Sequence, residues 1–248
     1  MITRRQSILV LPSFVLAGCV ATADKSGLLR AATNASKAMS LTDDEVRGYA
    51  SQMAKKVDAE AKIAPVNNKY SQRLNTLTSN LQEDKGLRLN YKVYLTPEVN
   101  AFAMADGTIR FYSGLMDMMT DDEIRYVIGH EIGHVHSGHT KKRMQTALSV
   151  SAAQTAAASS GNAQVATLAS SELGDLIAKV VKAQHSQSNE NEADDYAMEF
   201  MSRRNYQRRA AVTALEKLDK LSGGRDSNWL STHPAPKERA ARMSSKLA

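Results

Sequence analysis

The residues with the most chemistry to offer are His130-Glu131-Ile132-Gly133-His134, an H-E-x-x-H run. Side chains four apart on a helix stand one above the other, so two imidazoles at this spacing converge on a single ion, with metal–nitrogen bonds of about 2.0–2.1 Å. Glu131 projects beside that face, placed to take a proton from water activated by the ion rather than to bind the ion itself. A hydrolytic zinc takes three protein ligands and keeps one position open, so one ligand must come from elsewhere in the chain. The segment Glu190-Asn191-Glu192-Ala193-Asp194 offers it. On a helix Glu190 and Asp194 share a face while Glu192 points roughly opposite. Glu190 is therefore the expected third ligand of one Zn2+. Asp194 is the expected neighbour that accepts a ring N–H from a ligand histidine and fixes its tautomer.

These groups are useful only if helices carry them, and the local pattern supplies those helices. Thr120-Asp121-Asp122-Glu123 is a capping-box pattern with acidic residues where the helix dipole favours them, and Ile124, Val127, Ile128, Ile132 and Val135 make a buried stripe through the H-E-x-x-H run. A helix over about Leu173 to Met201 should carry Glu190 and Asp194. Upstream, Thr42-Asp43-Asp44-Glu45 opens a helix reaching about Lys62. After Pro65 a second carries Tyr70, Leu74, Leu77 and Leu81 and ends at Gly86. The period then changes to two across Leu87, Leu89, Tyr91, Val93 and Leu95, predicting a half-buried strand. Two more short strands, Ala101 to Met104 and Thr108 to Tyr112, are joined through Ala105-Asp106-Gly107, where Asp-Gly favours a hairpin turn. The Ala- and Ser-rich residues 147–171 read either as paired helices with small-residue packing or as a poorly ordered insert. A helix from about Ala210 to Leu221 stops at Gly223-Gly224, and a short basic helix runs from about Lys237. The fold class is α+β: a mainly helical zincin-like domain with a small three-stranded sheet beside the active-site helix.

His130 to His134 followed by Glu190-x-x-Ala193-Asp194 resembles the HtpX-like gluzincin metallopeptidases, the family that includes the eukaryotic CAAX prenyl proteases. Asn100-Ala101-Phe102-Ala103, Ser113-Gly114-Leu115, and His233-Pro234 with Arg239 also look like landmarks of that family. The resemblance implies zinc-dependent hydrolysis of peptide bonds. It implies that Asn100, Ala101, Phe102 and Ala103 belong to an edge strand that binds substrate backbone by strand addition. It implies that His233 lies near the metal, where it stabilises the oxyanion or caps the open position, and that Arg239 does related electrostatic work. One departure is visible: many members carry Ser-Arg shortly before the ligand glutamate, and Ser186-Gln187 stands there in this chain.

Other polar groups read as ordinary surface. Glu192 is an exposed carboxylate on a charged helix, His136 points away from His134, and His139 and His185 are surface or helix-end groups. Met116 to Met119 reads as core or an apolar wall facing substrate. Lys141-Lys142-Arg143 and Arg208-Arg209 read as solvated helix faces, and with no basic stripe interleaved with aromatics a nucleic-acid partner is not expected.

The first residues address the chain to a membrane. Arg4 and Arg5 precede an apolar run from Ile8 to Leu16, too short to span a bilayer, and Leu16-Ala17-Gly18-Cys19 looks like a lipobox. Residues 1–18 are thus expected to be a lipoprotein signal peptide, Cys19 the acylated mature N-terminus, 19–40 a small polar tether, and 41–248 the metallopeptidase domain. Net charge falls from +6 to +4 when Arg4 and Arg5 leave with the signal. Cys19 is the only cysteine, so no internal disulfide can staple the domain. Val20 after Cys19 resembles the pattern of lipoproteins sorted to the bacterial outer membrane. The expected partners are protein or peptide substrates in the periplasm, the membrane through the lipid, and outer-membrane assembly machinery. An envelope assembly or quality-control factor with proteolysis secondary is the alternative function.

Overall fold

A computed structural model describes residues 40–158, 177–223 and 228–247. The expected signal, Cys19 and the tether up to residue 39 lie outside the described residues, as do residues 159–176, which take in the end of the Ala/Ser-rich segment and the start of the helix expected from Leu173. Among the described residues, no helix is long and apolar enough to cross a membrane.

Helix α1 (Asp43–Glu60) begins at the expected capping box, with Glu45 Oε2 accepting the Thr42 N–H at 2.8 Å and Thr42 Oγ1 accepting from Glu45 N–H. It buries Val46, Ala50, Met53 and Ala54. Helix α2 (Lys69–Leu77) is capped by Asn68 but stops well short of Gly86. Thr78 ends it, its hydroxyl donating to Leu74 O at 2.9 Å. Gly86 instead serves a two-residue hairpin turn between β1 (Glu83–Asp84) and β2 (Leu87–Arg88). Both turn residues, Lys85 and Gly86, have positive φ, the conformation that matches the twist of the flanking strands.

The single strand expected over 87–95 is therefore split, and only β3 (Asn90–Tyr94) joins the main sheet. With β4 (Ala101–Ala103) and β5 (Thr108–Tyr112) it forms three strands in the order β3-β5-β4, β3 parallel and β4 antiparallel to β5. The Asp106-Gly107 turn is as expected. Asp106 Oδ1 accepts from Thr108 N–H at 3.1 Å, and Gly107 has φ +85° with the Arg88 carbonyl where a Cβ would stand. Alternation gives the sheet two buried faces. Val93, Ala101, Ala103, Ile109 and Phe111 face the main core, while Tyr94, Phe102 and Met104 pack with Val46, Met53 and Met144.

A short helix not expected from the sequence, α3 (Ser113–Met118), follows β5 directly. The Gly114 N–H donates to Thr96 O, and the backbone of Pro97 and Glu98 passes so close that no side chain would fit at Gly114. Helix α4 (Asp121–His136) starts at the Thr120 capping box and is buried along almost its whole length. Helix α5 (His139–Ala158) carries the chain into the Ala/Ser-rich segment. The one helix expected over 173–201 is two: residues 177–181 are helical, the chain opens out through His185, and α6 (Gln187–Arg203) begins afresh where Ser186 Oγ accepts from Asn189 N–H. Helix α7 (Arg209–Asp219) passes into a 3-10 turn, Lys220–Gly223, close to the expected stop. Helices α8 (Asn228–Thr232) and α9 (Pro236–Ser245) complete the described chain.

Helices α4 and α6 touch backbone to backbone. A Cβ on Gly129 would lie 3.1 Å from Ala197 Cα, and one on Gly133 would lie 3.0 Å from both Cα and O of Ala193. Gly129 and Gly133 on one helix and Ala193 and Ala197 on the other are each four apart, so two small-residue stripes meet. This close approach brings the face with His130 and His134 against the face with Glu190 and Asp194.

Candidate metal centre

His130 Nε2 and His134 Nε2 lie 3.1 Å apart. Glu190 Oε2 is 3.5 Å from the first and Glu190 Oε1 is 3.2 Å from the second. His233 Nδ1 closes the group at 3.3 Å from His130 Nε2 and 3.1 Å from Glu190 Oε1. Four donors bound tetrahedrally at zinc distances would be spaced about 3.3 Å from one another; the separations given, from 3.1 to 3.5 Å, lie close to that, and the four donors all lie within 4.8 Å of one another. All four residues are buried, and the donor set of three imidazoles and one carboxylate suits zinc. The residues present therefore fit the ion.

The surroundings hold these donors in metal-binding form. Asp194 Oδ1 is 2.9 Å from His130 Nδ1, and because a carboxylate only accepts, His130 carries its proton there and leaves Nε2 bare toward the centre. Asp194 is saturated with donors: Tyr126 O–H at 2.6 Å, and Arg239 at 2.8 Å through Nε and 2.7 Å through Nη2. Burial alone would raise the Asp194 pKa, but the Arg239 guanidinium and the hydrogen bonds hold it well below the usual carboxylate range. Arg239 Nη1 is also in ion-pair contact with Glu190 Oε2, without hydrogen-bond geometry. Burial opposes the charge of Glu190 too, and His233, Arg239 and His134 together keep it ionised. Desolvation pushes His134 well below the ordinary histidine range, which keeps it neutral and able to ligate.

Glu131 is 2 % exposed. Among the described residues its Oε1 has no hydrogen-bond partner, and it lies 3.7 Å from His233 Nε2. A buried carboxylate oxygen without a partner is costly, and such groups are found where chemistry uses them.

The match to the family model of peptidase family M48 runs over residues 68–247, from just before α2 to the end of the described chain. The chain belongs to peptidase family M48. The metalloprotease LoiP of Escherichia coli K12 is 46 % identical over 94 % of this chain and 92 % of its own length. The metalloprotease YcaL of the same organism is 37 % identical over 94 % and 93 %. The mitochondrial metalloendopeptidase OMA1 of Arabidopsis thaliana is 30 % identical over 69 % of this chain and 34 % of its own length. Membership of M48 makes the chain a zinc-dependent metallopeptidase, in agreement with the four donors brought together here.

Against this M48 frame, Glu190, Asp194, His233 and Arg239 all meet around His130 and His134. Asn100, Ala101, Phe102 and Ala103 lie at and in edge strand β4, with Asn100 Oδ1 accepting from the Ala101 N–H. Glu192 is exposed as expected. His136 stacks on Tyr196 at 5.1 Å between ring centroids, away from the donors.

Two histidines expected to be surface or helix-end groups are buried at the site, His139 at the start of α5 and His185 just before α6. His139 Nδ1 is 3.0 Å from His134 Nδ1, and the His185 ring stacks on His134 with centroids 3.7 Å apart. The reason is the chain reversal after α4 and the break before Ser186, which turn both rings inward. Arg143, expected on a solvated face, is largely desolvated, with Nη1 donating to Ala183 O at 2.8 Å and its pKa lowered by burial to about 10. No role is assigned to Tyr126 or Trp229 from the sequence. Each stands four residues before a donor histidine, a spacing that could have flagged both. The Trp229 ring stacks on His233 at 4.0 Å.

Proposed function

We propose that this metallopeptidase is a lipid-anchored endopeptidase of the bacterial cell envelope, cutting peptide bonds in misfolded or unassembled proteins on the periplasmic side of the outer membrane. The location rests on the lipobox-like Leu16 to Cys19 and on Val20. The reaction rests on one observation: the Glu131 carboxylate, whose Oε1 has no hydrogen-bond partner among the described residues, lies beside four donors grouped within 4.8 Å of one another.

His130, His134 and Glu190 would hold the ion. When bound, zinc supplies Lewis acidity that polarises the scissile carbonyl and makes water nucleophilic at neutral pH. Glu131 takes the proton of the attacking water and passes it to the leaving amine nitrogen. Among the described residues strand β4 is hydrogen-bonded to β5 along one side only, which leaves its other edge to align an extended substrate by strand addition.

The described arrangement is a resting one. His233 Nδ1 would occupy the position that the three ligands leave open, and its segment is tied to the chain entering β4 by the Trp229 N–H donating to Val99 O at 3.2 Å. Substrate laid along β4 competes with the segment that carries His233, so substrate entry and release of that position are coupled. This closure also favours the second reading, an envelope quality-control factor that binds unfolded chains and cuts them only on opening. Glu131→Gln decides between enzyme and binder. It should keep zinc and fold while cleavage of an unfolded protein such as casein drops by about 10²-fold or more. Cleavage at the parental rate would refute the mechanism.

A further inference from the structure

Between α4 and α5 the chain reverses through Ser137 and Gly138, the latter at φ +70°, and returns His139 to the ligand His134. His139 is 6 % exposed. Its Nδ1 lies 3.0 Å from His134 Nδ1, and its Nε2 lies 3.2 Å from Glu192 Oε2. Ser188 Oγ donates to the other oxygen of Glu192 at 3.2 Å.

Proton positions follow by elimination. A carboxylate only accepts, so the His139 proton sits on Nε2 and a neutral ring is bare at Nδ1. The nitrogen facing it, His134 Nδ1, must then be the donor. That leaves His134 Nε2 bare, 3.1 Å from His130 Nε2 and 3.2 Å from Glu190 Oε1. At His130 the same result comes directly from Asp194. The two ligand imidazoles are thus fixed differently, one by a buried carboxylate and the other through a second histidine to a carboxylate on the surface.

We propose that His139, oriented by Glu192, is a positioning residue that holds His134 in its metal-binding tautomer. The proposal rests on the reading of His134 as a zinc ligand. It gives Glu192 a role that its exposure conceals.

The test is zinc affinity of the purified full chain, measured by competition with a chromophoric chelator, together with the absorption of the Co2+-substituted protein and the unfolding temperature of the metal-free form. His139→Leu removes the acceptor and is expected to weaken zinc binding by about 10- to 100-fold and to distort the Co2+ spectrum. His139→Asn, whose Oδ1 can take the place of Nδ1, should recover affinity to within about threefold of the parent, well inside the loss that removing such a partner causes. Glu192→Ala should weaken binding by a few fold while the metal-free protein unfolds at the parental temperature. Equal losses in His139→Leu and His139→Asn overturn the proposal, as does parental affinity in Glu192→Ala, which decides the matter if His139→Leu fails to fold. His134→Ala separates the two levels. Retention of zinc there would sink the metal-site reading itself, whereas loss there with no change in the other variants would sink only the relay.

Discussion

Replacing Gly133 with alanine should do the opposite of what helix propensity alone dictates. Gly→Ala in a helix interior normally stabilises by about 0.8–1.0 kcal/mol. At Gly133 the new Cβ would meet Ala193 Cα, Ala193 O and Tyr196 Cβ, all at 3.0 Å. Carbon atoms prefer about 3.5–4.0 Å, so α4 and α6 must part by about 0.5 Å, and overpacking of this kind costs about 1–3 kcal/mol. The obstacle is mostly backbone, which cannot swing aside, so a net loss of up to about 2 kcal/mol is expected after the propensity gain. Ala193 lies between Glu190 and Asp194, so the displacement reaches the donors, where ligand distances must hold to about 0.2 Å. Zinc affinity should fall by at least about tenfold, or about 1.4 kcal/mol. Gly48→Ala on α1 is the control, since a Cβ there meets nothing within 4 Å, and it should stabilise. Thermal unfolding of the metal-free proteins and chelator competition measure both effects. If Gly133→Ala stabilises as Gly48→Ala does and binds zinc like the parent, the close-contact argument is wrong.

Asp58 pairs with buried Arg110 through two contacts of 2.8 and 2.9 Å and also accepts from Lys92 and Tyr94. Asp58→Ala takes the carboxylate from that guanidinium, leaving its charge with the Asn90 and Ile109 carbonyls that accept from Nη1, and should cost about 3–5 kcal/mol in urea unfolding. Burial tends to raise the Asp58 pKa, but Arg110, Lys92 and Tyr94 lower it well below the unfolded value, so its stabilisation is complete above the ordinary aspartate range and is lost as pH falls through the folded value. Acid unfolding followed by circular dichroism should therefore steepen below about pH 4, and Asp58→Asn should flatten that limb. Cys19→Ala should move the protein from the membrane fraction to the soluble periplasm. Unchanged association on fractionation would remove the lipid anchor from the account.

Local signals carried far in this chain, and they failed where distant segments decide. Both capping boxes, at Thr42 and Thr120, and the Asp106-Gly107 turn are written in three or four neighbouring residues, and all form as expected. The H-E-x-x-H run and the i, i+4 pair Glu190 and Asp194 share this property, because helical geometry alone sets their direction. Gly86 misled because a glycine after an apolar stripe reads equally as a helix stop or as a turn residue. The choice fell to Thr78, whose hydroxyl closes α2 eight residues earlier. The parallel pairing of β3 with β5 joins residues well apart in the chain and leaves no mark in either strand's own pattern. His139 and His185 were hidden for the same reason. His139 opens α5 just past the reversal at Gly138 and His185 stands just before the restart at Ser186, so projecting either on α4 or α6 says nothing of where its ring points, and those two breaks turn the rings inward.

The central claim is that two imidazoles from one helical turn and a carboxylate from a separate helix bind the same zinc. An anomalous difference map, recorded at the zinc edge from crystals of the zinc-loaded protein, tests this most directly. The account predicts one peak per chain bonded at about 2.0–2.2 Å to His130 Nε2, His134 Nε2 and a Glu190 oxygen. A peak that leaves Glu190 uncoordinated, or no peak between the two histidines, would contradict it.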